Sequence, residues 1–347
     1  MKRNQIFRII LICFGTFVAF PLTEILLRAM EYYQYVKRSA RVQYEQYKQI
    51  YRSELEEDYL FGHHPNAHVK LEKGFYDFTF ITNSEGLREK KDYSSLEKSV
   101  IFLGDSIVEG ASVENEEAMD EVFEAKTGIT ALNFGLGSAN TAHEYYWLIN
   151  KYKEEYHTKL IILGYCLNDF DQTYLRSFNP ELGNWELYRY LDEDAKETKE
   201  INYLKRSRAL VFFYSALRKI TNTSVAPYSR DQVTEERKKY TQSYLRKTKD
   251  FSDKIGAEFL VVLFPQEQQL RIDYEDKERM QDALIEMLEK DGIKYIDLYD
   301  IMKKKCLEDS NVRCFHDDTH PAKAGHQLIG EYLSAEIPKI FPKIFQP

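Results

Sequence analysis

The chain has 347 residues, 43% of them hydrophobic, which is enough for one catalytic-size domain with a large core and additional segments. Its formal net charge is −8 at pH 7, and its sequence pI is near 5.7. This acidic balance argues against a nucleic-acid-binding protein, which needs a basic face to neutralise phosphates.

The amino terminus has the pattern of a membrane anchor. Between Arg8 and Arg28 lie 19 residues with a single charge, Glu24, and a helix of this length spans about 28 Å, close to the hydrocarbon thickness of a bilayer. A cleaved signal peptide has a similar pattern, but no small-x-small cleavage site follows the apolar run, which favours a retained transmembrane helix over residues 1–28. Basic residues flank the run on both sides, so the charge rule leaves its orientation open.

Two segments separate this predicted anchor from the main body of the chain. Residues 29–57 carry alternating charges and tyrosines without Gly or Pro, which indicates an exposed or membrane-adjacent helical spacer. Over residues 58–96 the pattern changes to short alternating runs such as YDFTFIT, separated by turn signals. We expect a small β element there, packed against the main domain.

From residue 97 onward, short apolar runs alternate with segments of helical periodicity. Apolar strands separated by crossovers predict a parallel sheet covered on both faces, and therefore an α/β domain over residues 97–347. Residues 170–257 are too many for a loop, and their patterns predict a helical insertion over one side of the sheet. Its role, as a lid, a partner surface or both, is left open. The five predicted strands are 99–104, 130–135, 159–166, 258–264 and 293–298.

Two groups of cysteines and histidines lie outside the main motifs. Cys306 and Cys314 flank a short loop, and they either form a disulfide, as expected outside the cytoplasm, or remain free thiols. The HHPNAH cluster and His316 match no metal-ligand spacing. We interpret them as solvated loop histidines and expect no metal site.

Polar residues suited to acyl transfer follow the ends of the predicted strands, where open α/β sheets place their sites. Ser106, in IFLGDSIVEG, follows the first strand and is a candidate nucleophile, although serines after glycine also occur in turns and helix caps. The glycine-bearing turn NFGLGSANT follows the second strand, and Asn168 follows the third. After the fifth strand, Asp317 precedes His320 by three residues, so the carboxylate can orient the imidazole toward Ser106. Asp317 can also cap the helix that begins near Pro321.

The four segments that contain Ser106, the NFGLGSANT turn, Asn168 and the Asp317–His320 pair occur in this order along the chain. In this order they resemble the sequence blocks of the SGNH (GDSL-type) hydrolases, including membrane-anchored bacterial members, over residues 97–338. The resemblance implies a flavodoxin-like three-layer sandwich with a five-stranded parallel sheet. It also implies a serine esterase that uses neither a metal nor an organic cofactor. By this resemblance Ser106 is the nucleophile, His320 the general base and acid, and Asp317 the residue that orients His320.

The same resemblance implies an oxyanion hole. Its donors are the N–H groups of Ser106 and Ser138 and the side-chain amide of Asn168. The family usually has glycine at the position of Ser138, whereas this chain has glycine one residue earlier, at Gly137. A backbone N–H is still present at a serine, so Ser138 stays in the predicted set.

These observations lead to a functional prediction. We expect hydrolysis of an acyl ester, with O-acetyl favoured, on a cell-envelope carbohydrate, by a membrane-anchored domain outside the cytoplasm. An O-acyltransferase acting on an envelope or exported polysaccharide shares the acyl-enzyme intermediate and is an alternative. A non-catalytic glycan-binding or assembly component is another. The expected partners are an ester-bearing glycan and the membrane, with no nucleic acid, and the oligomeric state is left open.

Overall fold

The computed structural model describes residues 42–72, 77–167, 169, 174–181, 184–190, 233–271, 279–308 and 312–346. The predicted anchor over residues 1–28 and the predicted donor Asn168 lie outside these ranges, as do the first part of the spacer and much of the 170–257 insertion. Within the ranges given, no helix is both long and apolar enough to cross a membrane.

The described strands fall into four sheets. Three are antiparallel pairs, β1 with β2, β3 with β4, and β8 with β9, and the fourth is a five-stranded parallel sheet with the order β11-β10-β7-β5-β6. In chain order the strands are β1 (Tyr51–Glu54), β2 (Leu60–His63), β3 (His68–Glu72), β4 (Asp77–Ile81), β5 (Ser99–Gly104), β6 (Thr130–Gly135), β7 (Thr158–Tyr165), β8 (Tyr174–Asn179), β9 (Asn184–Tyr190), β10 (Glu258–Leu263) and β11 (Lys294–Asp297).

The parallel sheet confirms the predicted fold class. Its strands agree with the five predicted from the sequence to within one residue at each end. Numbered along the chain, these strands have the spatial order 2-1-3-4-5 of flavodoxin-like sheets. The chain changes direction across the sheet between β5 and β7, and in open α/β sheets such a switch point is where sites are found.

Helices flank the parallel sheet. Several begin and end at the expected signals: Asn140 caps one by accepting the N–H groups of Ala142 and His143 at 3.1 Å, and Gly128 ends another with a φ of 71°. The helices are α1 (42–50), α2 (Ser106–Glu109), α3 (Met119–Thr127), α4 (Thr141–Lys151), α5 (Glu235–Lys254), α6 (Glu267–Leu270), α7 (Met280–Lys290), α8 (Tyr299–Glu308), α9 (Lys323–Ile340) and α10 (Pro342–Phe345).

Alternate residues of the parallel strands enter two separate cores. In β5, Ile101 and Leu103 pack in one core with side chains of α4, α5 and α7, whereas Val100 and Phe102 pack in the other with α3, α8 and α9. Both faces of the strand are therefore buried, which explains its unbroken apolar sequence. The result is a three-layer α/β sandwich.

The amino-terminal strands extend the first of these cores. Tyr51, Phe61 and Phe80, from β1, β2 and β4, are buried in the same cluster as Trp147 of α4. Strand β1 begins at Tyr51, so the helical spacer predicted over residues 29–57 ends earlier, at residue 50. The reason is tertiary: pairing with β2 buries Tyr51, which outweighs the helical propensity of the charged segment.

The insertion predicted as helical over residues 170–257 contains the hairpin β8–β9 as well as α5. Phe178 and Trp185 face each other across this hairpin, with ring centroids 5.5 Å apart. Aromatic pairing across strands stabilises such hairpins, and the prediction of an all-helical insertion is wrong at this point.

Candidate active site

Ser106 lies where β5 ends at the switch point of the sheet. The strand stops at Gly104, and the buried side chain of Asp105 accepts the N–H of Ile107 at 2.9 Å, which begins the one-turn helix α2. Ser106 is the first residue of that helix. Its hydroxyl is therefore held at the carboxyl edge of the sheet by a strand on one side and a helical turn on the other.

The structure brings together three of the residues predicted from the sequence. The Ser106 Oγ lies 3.0 Å from His320 Nε2, and His320 Nδ1 lies 2.9 and 3.0 Å from the two carboxylate oxygens of Asp317. A carboxylate only accepts hydrogen bonds, so Nδ1 carries a proton and Nε2 is left with a lone pair for the serine hydroxyl. The order hydroxyl, imidazole, carboxylate is that of a nucleophile, a base and its orienting group.

Asp317 is held by the backbone of its own loop. Its Oδ1 accepts the N–H groups of Thr319 at 2.9 Å and His320 at 2.8 Å. Partial burial alone would raise the pKa of Asp317, but the hydrogen bond and electrostatic interaction with His320 and these N–H groups lower it well below its usual range. Asp317 is therefore a carboxylate at neutral pH, as an orienting residue must be.

The loop after β6 forms a tight turn beside Ser106. Leu136 donates its N–H to the carbonyl of Gly104 at 2.9 Å, and Ala139 donates back to Leu136 at 3.0 Å. Ser138, the third residue of this turn, has a φ of 65°, a left-handed conformation in which glycine is favoured and serine is strained. In the described chain, the Ser138 N–H makes no hydrogen bond.

Close packing explains why the glycine of this turn is at position 137 and not at 138. A Cβ on Gly137 would lie 2.4 Å from the hydroxyl of Tyr51 and 2.9 Å from a carboxylate oxygen of Glu109, so no side chain fits there. The departure from the family pattern thus has a physical cause. The chain needs glycine where Tyr51 and Glu109 approach the backbone, and it accepts the strain at Ser138.

A small cavity opens onto these groups. It has a volume of about 180 Å³ and includes Ser106, His320 and Ser138 in its lining. Aromatic side chains from the amino-terminal segment and from the hairpin β8–β9 also line it, namely Tyr47, Tyr51, Phe80 and Trp185. The β segment in front of the main domain therefore lines the same space as the serine.

A second polar group lies at this cavity; it is fully buried and was not among the residues predicted from the sequence. The carboxylate of Glu109 accepts hydrogen bonds from Tyr51, from His63 and from the N–H of Gly137. The interpretation of the HHPNAH histidines as solvated is wrong for His63, which is 1% exposed. The available signal was the strand LFGH, in which Phe61 and His63 point to the same face.

Two further predictions concern cysteines and metals. Cys306 and Cys314 form a disulfide, with Cα atoms 5.6 Å apart, so the first of the two alternatives holds in the structure. No group of three or more His, Cys, Asp or Glu side chains arranged to hold a metal ion is present in the ranges that the structure covers. The predicted amide donor, Asn168, is outside those ranges.

Comparison with known proteins identifies the family. Residues 100–333, well over half of the chain, match the family model "GDSL-like Lipase/Acylhydrolase". No curated protein matches the chain.

Similar solved structures include a member of the lipolytic protein G-D-S-L family from Veillonella parvula DSM 2008, at 14% identity and a TM-score of 0.40, covering 69% of this chain and 97% of that one. A GDSL-like lipase from Bacteroides thetaiotaomicron VPI-5482 has 12% identity and a TM-score of 0.38, covering 70% and 89%. An acetyl xylan esterase has 13% identity and a TM-score of 0.41, covering 69% and 99%. The matched residues run from β5 into the last long helix and include the serine motif, and the chain therefore belongs to the GDSL-like lipase/acylhydrolase family, as an ester hydrolase.

Proposed function

We propose that the protein hydrolyses a short acyl ester, with O-acetyl favoured, on a cell-envelope carbohydrate, through an acyl intermediate on Ser106. The observation that carries this proposal is the hydrogen-bonded series Ser106–His320–Asp317 at the opening of a small cavity. Each member has the partner that its role requires, and the three come from opposite ends of the domain sequence.

The reaction follows from the proton positions. Ser106 Oγ attacks the ester carbonyl while its proton moves to His320 Nε2, and Asp317 stabilises the imidazolium that forms. The imidazolium then donates this proton to the leaving sugar oxygen, and the C–O bond of the ester breaks. Water next attacks the acyl-serine carbonyl with His320 as base, which releases the carboxylic acid and restores the serine hydroxyl.

Two backbone N–H groups are the proposed donors to the oxyanion. The N–H of Ser106 lies in the first turn of α2, and that of Ser138 lies in the turn after β6; both residues line the cavity. In the described part of the chain neither N–H has an acceptor, so both are available to a ligand oxygen. The side chain of Asn168 is the proposed third donor.

The cavity favours a small acyl group and a flat substrate. Pockets for drug-sized ligands have volumes of roughly 300–1,000 Å³, whereas this one has about 180 Å³, which suits a short acyl chain and not a fatty acid. The rings of Tyr47 and Trp185 at its wall have their centroids 5.4 Å apart. Aromatic faces with a polar edge pack well against sugar rings, which supports a carbohydrate as the ester-bearing group.

We further propose that the domain acts outside the cytoplasm, attached by the helix predicted over residues 1–28. The disulfide Cys306–Cys314 supports this location, because cytosolic reductants keep most thiols reduced. An envelope carbohydrate is then the accessible substrate. Non-reducing peptide mapping of protein isolated from its native envelope tests this location: the linked peptides are expected, and alkylated free cysteines would contradict it.

Three experiments test the proposed reaction. A fluorophosphonate probe should label the purified protein at Ser106, and the labelling should be lost in His320→Ala; attachment at another residue would contradict the assigned nucleophile. With p-nitrophenyl esters of increasing chain length, kcat/KM should fall at least about tenfold from acetyl to decanoyl, because the longer chain exceeds the cavity. Release of acetate from an acetylated polysaccharide, without transfer to a second sugar, then separates hydrolysis from acyl transfer.

A further inference from the structure

Glu109 has an unusual position for a carboxylate, because it is fully buried and yet lines the reaction cavity. Its Oε1 accepts the hydroxyl of Tyr51, the Nε2–H of His63 and the N–H of Gly137, each at 2.7 Å, and its Oε2 lies 2.9 Å from the same Tyr51 hydroxyl. Two of these donors come from β1 and β2, and the third comes from the turn that contains Ser138. One carboxylate therefore joins the amino-terminal strands to the turn beside the nucleophile.

The hydrogen bonds fix the charges of this group. His63 Nδ1 lies 2.9 Å from the carbonyl of Gly86, so both ring nitrogens face oxygens that accept hydrogen bonds, and both must carry protons. His63 is then a cation paired with a Glu109 anion. Burial alone would raise the pKa of Glu109, but the hydrogen bond and charge of His63, with the Tyr51 hydroxyl and the Gly137 N–H, lower it.

The contacts of Glu109 constrain the geometry of the site directly. Glu109 is three residues after Ser106 in the one-turn helix α2, so its backbone moves with the nucleophile. Its carboxylate holds the Gly137 amide, and the next amide along the chain is the Ser138 N–H, which has no acceptor in the described chain. The distance between the nucleophile and this donor thus depends on a link that passes through Glu109.

We propose that Glu109, held by Tyr51 and His63, is a positioning residue that sets the Ser138 N–H relative to Ser106, so that the β1–β2 pair is part of the active-site architecture. The inference rests on the proposed function. Weakening the link should lower the rate of the steps that develop an oxyanion and leave substrate binding nearly unchanged, because the carboxylate oxygens of Glu109 are engaged by Tyr51, His63 and the Gly137 N–H.

A matched pair of variants tests this proposal. Glu89 is also a buried carboxylate that accepts a backbone N–H of β6, from Asn133 at 2.8 Å, and a tyrosine hydroxyl, from Tyr93 at 3.1 Å, but it does not line the cavity. Glu109→Gln should lower kcat on p-nitrophenyl acetate by about 10- to 100-fold and leave KM within about twofold of wild type. Complete loss of an oxyanion donor lowers kcat by about 10²–10³, and this variant displaces the donor without removing it. Glu89→Gln should leave kcat within about twofold of wild type, even where the two variants lose similar thermal stability.

A milder variant keeps the proposal testable if Glu109→Gln does not fold. Tyr51→Phe removes one donor to the carboxylate and retains the ring, and it should lower kcat about three- to tenfold. If Glu109→Gln folds and keeps the wild-type kcat, the proposal is overturned. If only Tyr51→Phe folds, a wild-type kcat in that variant overturns it. A loss of kcat in Glu89→Gln equal to that in Glu109→Gln would also overturn it.

Ser106→Ala, measured alongside, separates the two proposals. If it is inactive while Glu109→Gln is as fast as wild type, only the positioning role fails. If Ser106→Ala retains wild-type turnover, or if the wild-type protein cleaves no ester, the proposed function fails and the positioning role fails with it.

Discussion

Two histidine–carboxylate pairs border the same cavity, and they differ in what they can do. The side chains of His320 and Asp317 are 25% and 50% exposed, whereas those of His63 and Glu109 are both 0% exposed. In each pair a ring nitrogen lies within 2.9 Å of a carboxylate oxygen. The pairing alone therefore does not distinguish a catalytic histidine from a structural one.

The difference lies at the second ring nitrogen. His320 Nε2 faces the hydroxyl of Ser106, which can donate a proton, so this nitrogen can act as a base. His63 Nδ1 faces the carbonyl of Gly86, which only accepts, so this ring keeps both protons and has no lone pair to offer. A histidine becomes a base when its second neighbour is a donor, and a structural cation when that neighbour is an acceptor.

The largest effect that this comparison predicts is on activity. His320→Ala should lower kcat/KM for an acetyl ester by about 10⁴-fold or more, because the nucleophile loses its base. The effect on thermal stability should be small, since the side chain is partly exposed. Steady-state kinetics beside a thermal melt measures both. If His320→Ala were strongly destabilised but its remaining folded protein kept the wild-type kcat, the assignment of the two histidines would be reversed.

The converse substitution should act mainly on stability. His63→Ala leaves the carboxylate of Glu109 buried without its cation, and breaking a buried ion pair in this way costs about 3–5 kcal/mol of unfolding free energy. Urea denaturation followed by tryptophan fluorescence measures this loss. An unfolding free energy within about 1 kcal/mol of wild type would mean that His63 and Glu109 are not a charged pair in solution.

The sequence was sufficient for one of these pairs and not for the other. Asp317 and His320 are three residues apart in a loop, so local spacing indicated their hydrogen bond before any fold was known. His63 and Glu109 are 46 residues apart, and they meet only because β2 packs beside α2. Parallel strands were predictable from apolar runs, because burial on both faces leaves a continuous hydrophobic signal. The hairpin β8–β9 and the early end of the spacer were not, since partners distant in sequence decided their structure.

A third buried carboxylate sharpens the comparison, because it lacks the donors that Glu109 has. Both side-chain oxygens of Glu144 in α4 are buried without a hydrogen-bond partner. Burial first, and then the negative charges of Asp169 and Asp105, raise the pKa of Glu144 well above its ordinary value of 4.5. The folded state therefore keeps a proton that the unfolded chain loses. Below about pH 4.5 both states hold this proton, and the group does not lower the unfolding free energy. As the pH rises from there toward the raised pKa, the unfolding free energy falls by up to about 1.4 kcal/mol per pH unit.

Glu144→Gln should remove this slope, since an amide does not titrate. Its unfolding free energy should be close to that of wild type near pH 4 and should exceed it increasingly between pH 6 and 8. Denaturant titrations at several pH values measure the difference, with Glu155→Gln on the exposed surface as the control. Parallel curves for wild type and Glu144→Gln would show that Glu144 is ionised in the folded protein.

The smallest predicted effect concerns the turn that the buried pair holds. Ser138 is strained at a φ of 65°, and so is His157, at 46°, on the exposed surface away from the cavity. A residue with a side chain in the left-handed conformation costs about 1–2 kcal/mol, and glycine removes this strain. Glycine also loses more conformational entropy on folding, which offsets part of the gain. Ser138→Gly and His157→Gly should therefore each raise the unfolding free energy by about 0.5–1 kcal/mol.

Only the Ser138 variant should also affect the reaction, by about two- to threefold in kcat, because the N–H donor remains but its turn becomes less rigid. A loss above about tenfold in Ser138→Gly alone would assign the oxyanion contact to the serine hydroxyl and not to the backbone. The backbone assignment requires that the side chain be nearly dispensable, since Glu109 holds the turn through Gly137 whatever residue follows it.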